Sequence, residues 1–195
     1  MASWDRTISL SIDVVAPLRR IKPEKRLAQL TLRPPGALNS AEDVAGSGRA
    51  VLLLDTNVYI RSAAGTLPAA ASALVDGGLV FHCSVCVAEL TTGIANANPA
   101  HPEWAVMRDH YVDLIATFSE TRLLTPDRDT WAEAGLIAGA LARTQNYQRH
   151  QRKECLNDAL IYLTAAKIGL PVLTANRAEF DLIQQLAPRG HFIHF

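Results

Sequence analysis

Cysteine is scarce in this sequence, and long apolar runs are absent from it. Three cysteines among 195 residues do not make a disulfide framework, which favours a reducing compartment. No apolar run is long enough to span a bilayer, and the N-terminal residues 1–6 are not followed by the apolar stretch of a secretory signal. We therefore expect a cytoplasmic protein without a membrane anchor.

An excess of charge of either sign is also missing, since 19 basic residues balance 19 acidic ones. No overall field therefore draws the protein to nucleic acid, and any such binding must come from local patches. Residues 1–49 hold eight of the bases against five acids, so they are basic while the remainder is mildly acidic. With 49% hydrophobic residues, the chain can bury one core. We expect a basic extension over residues 1–49 and one domain over 50–195.

The extension itself carries only weak signals of structure. Residues 7–14 alternate between apolar and polar side chains, which predicts a strand, and residues 37–49 have the small polar composition of a linker. Such a basic arm could contact RNA or a protein partner, or it could be a solvated appendage that packs on the domain.

Four aliphatic residues, Val51 to Leu54, run directly into Asp55. Such a run is typical of a strand buried on both faces, and an unpaired buried carboxylate is costly, so Asp55 should lie just past the strand end. Ligands bind at that position in open α/β sheets. The alternative is that Asp55 only begins a turn or caps a helix over residues 57–63.

A second strand is predicted at residues 79–81, after a short helix over residues 69–75. It leads into Ser84, a good N-cap, and a helix that extends to about Asn96. Glu89 is a solitary acid in this apolar segment, so it lies either on a solvated face or in a site. Cys83 and Cys86 stand at the junction, where a redox dithiol is possible but small buried hydrophobes are the commoner outcome.

Two helices are predicted over residues 102–118 and 127–143, separated by a brief strand at residues 122–124. The apolar side of the second helix consists of Trp131, Ala134, Ile137, Ala138 and Leu141. The pair could form a surface for a partner or a dimer, or it could simply cover the sheet.

The only dense basic run of the domain follows, with amides and Tyr147 between the cations. It contains His150 and four residues that we select as candidates for binding RNA, namely Arg143, Arg149, Arg152 and Lys153. A solvated loop is the alternative. The run leads into Asn157, which would cap a helix with Asp158 in its first turn and Gly169 at its end.

The last part of the sequence repeats the pattern of the first strand. A short apolar strand at residues 171–174 ends in polar residues that include Asn176 and Glu179. A helix over residues 177–187 and a final strand over 191–195 complete the α/β alternation.

Four short motifs together resemble those of PIN-domain nucleases, specifically the VapC-type toxins of toxin–antitoxin pairs. They are Leu54-Asp55-Thr56-Asn57, Ser84 with Glu89-Leu90 and Gly93, Asn157-Asp158-Ala159-Leu160-Ile161, and Leu173-Thr174-Ala175-Asn176 with Glu179-Phe180. Each motif alone is weak, but four in the family's order and spacing, over about residues 50–195, are a strong signal.

The resemblance implies a Rossmann-like parallel sheet flanked by helices, and hydrolysis of RNA phosphodiesters with Mg²⁺ or Mn²⁺. By correspondence of motifs, Asp55, Glu89 and Asp158 are the core acids and metal ligands. Asn176 occupies a fourth catalytic position, where it adds no charge and so weakens the case for a second metal ion. The remaining polar residues of the motifs, Asn57, Thr174 and Glu179, would support the acids.

The resemblance also implies RNA as substrate, a small antitoxin as partner and assembly as a homodimer. Two alternatives remain. The same nuclease could process RNA outside any toxin–antitoxin pair, or the fold could serve as a non-catalytic binding scaffold. Retention of the three core acids counts against the scaffold.

Overall fold

The computed structural model describes residues 12–46 and 48–195. The strand predicted over residues 7–14 lies mainly outside them, and of its described part, residues 12–14 are not in a strand. Nine α-helices lie in the described ranges, namely α1 Val15–Ile21, α2 Ala41–Val44, α3 Thr56–Ala63, α4 Ala69–Gly77, α5 Ser84–Asn96, α6 Trp104–Ala116, α7 Arg128–Thr144, α8 Arg149–Lys167 and α9 Arg177–Leu186. None of them is long and apolar enough to cross a membrane.

Five strands form one sheet in which all neighbours are parallel. They are β1 Val51–Leu54, β2 Leu79–Cys83, β3 Leu123–Leu124, β4 Pro171–Thr174 and β5 His191–His194, in the order β3-β2-β1-β4-β5. The chain therefore moves outward from β1 through β2 to β3, then returns to the other side of β1. This reversal places the topological switch point between β1 and β4. The predicted α/β fold with a parallel central sheet is confirmed.

The core lies between the sheet and the helices. The aliphatic run of β1 is buried, as its composition predicts, and α8 contributes an unbroken buried stretch from Asp158 to Ala165. Other parts of the protein cover this stretch of α8 on nearly all sides, so its side chains are apolar in every direction. The exceptions are Asp158 and two side chains that make hydrogen bonds, Tyr162 and Thr164.

Two predicted helix starts are wrong. Ser84 is the first residue of α5, and Cys83 occupies the cap position without a side-chain cap bond. Helix α8 begins at Arg149, because Gln148 and Gln151 form a reciprocal capping box. Asn157 therefore lies in the helix interior and caps nothing, and the second half of the basic run is the first helical turns rather than a loop.

Part of the segment predicted as a linker, residues 37–49, is helical. Helix α2 begins after Ser40, which exchanges hydrogen bonds with Asp43 in a capping box, and Ala41 is fully buried. Just before the helix, Ser40 forms a parallel bridge to His194 beside the edge strand β5. The described part of the extension thus packs on the domain.

Trp131 also departs from its prediction. Ala134, Ile137, Ala138 and Leu141 are buried as the apolar side of α7, but Trp131 at the start of the same side is 50% exposed. Thr130 in the same turn is 1% exposed, so the exposure of Trp131 belongs to one face of the helix and not to the whole first turn.

Candidate active site

Asp55 lies directly after β1, at the switch point of the sheet. Its backbone N–H donates to the carbonyl of Leu173 at 3.1 Å, which ties the end of β1 to the end of β4. Its side chain also accepts a hydrogen bond from the backbone N–H of Thr56 at 2.7 Å and caps α3. The predicted position of Asp55 just past the strand end is confirmed, and the residue also caps α3, because the cap and the strand end are the same position.

Neutral donors from β4 and α3 hold the other oxygen of Asp55. The hydroxyl of Thr174 donates to Asp55 Oδ2 at 2.6 Å, and the amide of Asn57 donates to the same oxygen. Asn57 also accepts a hydrogen bond from the backbone N–H of Ala175 at 2.8 Å. Asn57 and Thr174 thus fix the orientation of the buried carboxylate.

Glu89 extends from α5 into the same region. Its Oε2 accepts a hydrogen bond from the hydroxyl of Thr56, and its Oε1 accepts one from the amide of Asn157 at 2.7 Å. The side chain therefore points into the site and not to a solvated face. Thr56 and Asn157 were not predicted as its partners, since neither lies near Glu89 in sequence.

Asp158 projects from the interior of α8 and is 8% exposed. With Asp55 and Glu89 it forms the group of carboxylates that we call the acid cluster. Its Oδ2 accepts a hydrogen bond from the amide of Asn176 at 2.8 Å, just past the end of β4. Asn176 itself is exposed. The acid predicted for a first helical turn is instead brought to the sheet edge by the third turn of α8.

Glu179, from the first turn of α9, lies beside Asp158. Its Oε2 accepts a hydrogen bond from the hydroxyl of Tyr147 at 2.7 Å, and its Oε1 is buried without a hydrogen-bond partner. An unpartnered buried carboxylate oxygen is costly unless a proton or a cation is nearby. Tyr147, which lies between the cations of the basic run, thus positions this acid.

Burial and mutual repulsion shift the acids toward their protonated forms. Desolvation raises the pKa of Asp55 to about 6, with a further contribution from the negative charge of Glu89. Desolvation also raises the pKa of Asp158 well above its usual value, followed by repulsion from Asp55, Glu179 and Glu89. Closely spaced carboxylates of this kind are stabilised by a proton or by a divalent cation.

The donor set fits a hard cation such as Mg²⁺ or Mn²⁺. The candidate ligands are carboxylate oxygens, and Mg²⁺ is commonly held by one or two carboxylates while it keeps several waters. Among the described residues, no three acids, histidines or cysteines converge as a ready metal cage. The arrangement therefore suits a site of few protein ligands.

Three of the four candidate RNA-binding residues lie on the first turns of α8, and the fourth, Arg143, lies near the end of α7. Arg143 donates to the carbonyl of Pro23 in the extension at 2.8 Å, and Arg152 donates to the carbonyl of Tyr147 at 3.1 Å. Arg149 and Lys153 are exposed on the first turns of α8. The structure thus leaves these last two side chains in the best positions for contact with a polyanion.

Cys83 and Cys86 are free and buried. The thiol of Cys86 donates to the carbonyl of Leu54 at 3.5 Å, directly behind Asp55. Their place in the core agrees with the packing role favoured by the sequence.

An open parallel sheet with buried carboxylates at its switch point is the arrangement in which α/β proteins bind ligands, at the carboxyl ends of strands such as β1 and β4. The sequence model of the PIN domain matches residues 52–185. The chain belongs to the PIN domain family, as its motifs predict.

Solved structures of the same fold come from several bacteria. FitAcB from Neisseria gonorrhoeae aligns with a TM-score of 0.52 and 22% identity, over 74% of this chain and 96% of that one. VapBC2 from Rickettsia felis, bound to a DNA fragment from its promoter, aligns with a TM-score of 0.51 and 13% identity, over 74% and 98%.

VapBC-5 from Mycobacterium tuberculosis, described as a member of a family of toxin–antitoxin systems, aligns with a TM-score of 0.50 and 23% identity, over 75% and 99%. The comparison with curated proteins found no match. At these identities, the likeness to the solved structures concerns the fold.

Proposed function

We propose that the protein is a metal-dependent endoribonuclease and the toxin of a VapBC-type toxin–antitoxin pair. One observation carries the nuclease proposal: Asp55, Glu89 and Asp158, from distant parts of the sequence, meet at the switch point of a PIN fold. The described donors to these carboxylates are hydroxyls, amides and a backbone N–H, all of them neutral. The negative charge of the cluster is thus left for a bound cation.

Asp55 and Asp158 are the proposed ligands of Mg²⁺ or Mn²⁺, with Glu89 as a further ligand or as a general base through water. The ion, when bound, lowers the pKa of water and screens charge on phosphoryl oxygens. Asn57 and Thr174 keep Asp55 oriented, Thr56 and Asn157 keep Glu89 oriented, and Asn176 keeps Asp158 oriented. Rigid ligands of this kind keep a reacting phosphate in line with its attacking water.

The substrate proposed is single-stranded RNA, since its unpaired bases are open to contact. Exposed Lys153 and Arg149 on the first turns of α8 would bind its phosphates. The toxin role is supported by the fold shared with structures named as VapBC and FitAB complexes. It implies a small antitoxin partner, a homodimer and a place in the cytoplasm.

The test is cleavage of a mixed pool of single-stranded RNA by protein purified free of any antitoxin, in Mg²⁺, in Mn²⁺ and in EDTA. We expect cleavage only with a metal ion, and a loss of about a hundredfold or more in Asp55→Asn, Glu89→Gln and Asp158→Asn. Asp113→Asn, at an exposed acid of α6, is the matched control and should cleave at the wild-type rate.

Absence of cleavage by the wild type in either metal would reject the nuclease in favour of a binding scaffold. Metal-dependent cleavage without any adjacent gene for a small antitoxin would instead favour an RNA-processing enzyme. Circular dichroism of each variant establishes that a loss of activity is not a loss of fold.

A further inference from the structure

A cleft of about 610 Å³ opens beside the acid cluster, between α5, the loop before α7 and the first turns of α8. We name it the base cleft and define it by Glu89, Gly93, Pro126, Trp131, Lys153 and Asn157, which are among its lining residues. Its volume lies within the range of small-molecule sites, which is about 300–1,000 Å³.

Trp131 forms an exposed aromatic wall of this cleft. The indole is half exposed, although the other members of its helix side are buried. Small residues, Ala88 and Gly93, line the facing part of α5. The space beside the ring is therefore suited to a flat group that stacks on it, as a nucleobase does.

Polar and charged groups surround the aromatic wall. Lys153 and His150 supply nitrogen donors from α8, and Glu154 supplies a carboxylate next to them. Asn96 and Asn157 add amides. A lysine suits a backbone phosphate, whereas amides and a carboxylate suit the edge of a base. An aromatic face with both kinds of group matches a nucleotide better than it matches an apolar peptide side chain.

The base cleft is continuous with the acid cluster. Glu89 and Asn157 line the cleft, and the hydrogen bond between them is part of the acid cluster. A nucleotide in the cleft would thus lie one step along the strand from a phosphate held at Asp55 and Asp158.

We propose that the base cleft binds the nucleotide adjacent to the scissile phosphate, with its base stacked on Trp131 and its phosphate on Lys153. This inference rests on the proposed ribonuclease function, for which it supplies a subsite on the RNA strand. Trp131 is a binding residue here and takes no part in the chemistry at phosphorus.

The test measures binding apart from cleavage. Short single-stranded oligoribonucleotides with a fluorescent label are titrated with protein in EDTA, and anisotropy gives Kd. Trp131→Ala should raise Kd roughly tenfold or more, while Trp131→Phe, which keeps a stacking face, should stay within about threefold of wild type. Lys153→Gln should weaken binding and lower the salt slope by about 0.7, whereas Lys25→Gln in the extension should do neither.

A second variant fills the cleft without touching Trp131. A Cβ at Gly93 meets nothing within 4 Å, so Gly93→Leu can be built on α5 and its side chain would occupy the space beside the indole. Gly139→Leu is the matched control, since that glycine is also helical and open but lies on the exposed side of α7, two turns from Trp131. We expect weaker RNA binding only for Gly93→Leu.

Cleavage kinetics add a readout that a structural defect would not mimic. Trp131→Ala should raise KM by about the same factor as Kd and leave kcat nearly unchanged.

Equal Kd for wild type, Trp131→Ala and Gly93→Leu would overturn the base cleft while leaving the nuclease intact. Failure of the wild type to cleave RNA would instead reject the proposed function. Loss of binding to an antitoxin peptide, with RNA affinity unchanged, would reassign the cleft to a protein partner.

Discussion

At the scale of single residues, Asp55 combines two roles that are usually separate. It caps α3, which satisfies a backbone N–H at the helix start, and it stands at the end of the central strand. The same position buries its carboxylate, with 3% of the residue exposed. Three neutral donors offset only part of the desolvation cost, which is why its pKa rises to about 6.

This raised pKa has a consequence for stability in the absence of metal. The pKa of Asp55 is 3.8 in the unfolded chain and about 6 in the folded protein. Between these two pH values the folded protein holds a proton on Asp55 that the unfolded chain has lost. Its contribution to the free energy of unfolding therefore improves as the pH falls from 7 to 5. Asp55→Asn, which cannot ionise, should be more stable relative to wild type at pH 7 than at pH 5, by roughly 1 kcal/mol.

Urea unfolding of both proteins in EDTA measures this difference. The comparison with a variant is needed because burial lowers the pKa of His82 to about 4, which changes stability in the opposite direction over the same range. The free energy of unfolding of Asp113→Asn should differ from that of the wild type by the same amount at both pH values. In a separate measurement, Mg²⁺ should stabilise the wild type at pH 7. A pH-independent difference for Asp55→Asn would contradict the burial argument.

At the scale of elements, the ends of helices and strands decide where side chains go. The capping box of Gln148 and Gln151 starts α8 early enough that its third turn, with Asn157 and Asp158, reaches the sheet edge. A start at Asn157 would have left those side chains at a helix tip. Because the strands end where polar residues begin, the polar side chains of the site lie together at the carboxyl ends of the strands.

Gly77, the last residue of α4, and Gly78, which directly precedes β2, offer a test at this scale. A Cβ at Gly78 would lie 2.4 Å from the carbonyl oxygen of Leu74 and 3.0 Å from that of Ala50, both of them backbone atoms. A Cβ at Gly77 meets nothing within 4 Å. Gly78→Ala should therefore lower the free energy of unfolding by about 1–3 kcal/mol.

Gly77→Ala is its control, and it should be neutral or gain up to about 1 kcal/mol through helix propensity. Thermal or urea unfolding of the two variants is sufficient. Equal stability of both would mean that the turn relaxes freely and that its tight packing has no energetic consequence.

At the scale of the whole molecule, the extension contributes to the folded domain through residues far from the acid site. Ile21 and Ala41 are fully buried.

Arg20 shares the carboxylate of Glu133 with Arg189, at 3.2 and 2.6 Å. Arg33 donates through its backbone N–H and its guanidinium to Asp181, which is 1% exposed. These bases neutralise acids of the domain, so the basic character of the extension does not by itself indicate RNA binding. We propose that the described part of the extension is needed for full stability.

Arg33→Ala tests this coupling. It removes the cationic partner of a buried carboxylate, so we expect a loss of about 2–4 kcal/mol in the free energy of unfolding. Arg108→Ala is the matched control, because Arg108 pairs with Asp109 on the exposed surface of α6 and should change stability by less than about 1 kcal/mol. Equal effects of the two variants would show that the pair between Arg33 and Asp181 adds no more to stability than an exposed surface pair does.

Short stretches of this sequence are enough to predict its strands and the polar residues at their ends. Aliphatic runs that stop at polar residues predict buried strands and the side chains at their ends, because burial and backbone periodicity act over a few residues. Asp55 and Asn176 were placed at strand ends in this way, whereas Asn57, Thr174, Glu89 and Asp158 were assigned by the resemblance of their motifs.

Contacts between side chains that are distant in sequence follow from the packing of helices on the sheet, and they are seen only in the three-dimensional structure. The pairing of Asn157 with Glu89, the bond from Tyr147 to Glu179 and the exposure of Trp131 depend on helix directions and on the layers that cover each helix. The start of α8 was missed because a glutamine capping box is a weak local signal beside an asparagine N-cap. Contacts of this kind arise from strand order and helix packing, and no short window of sequence contains both partners.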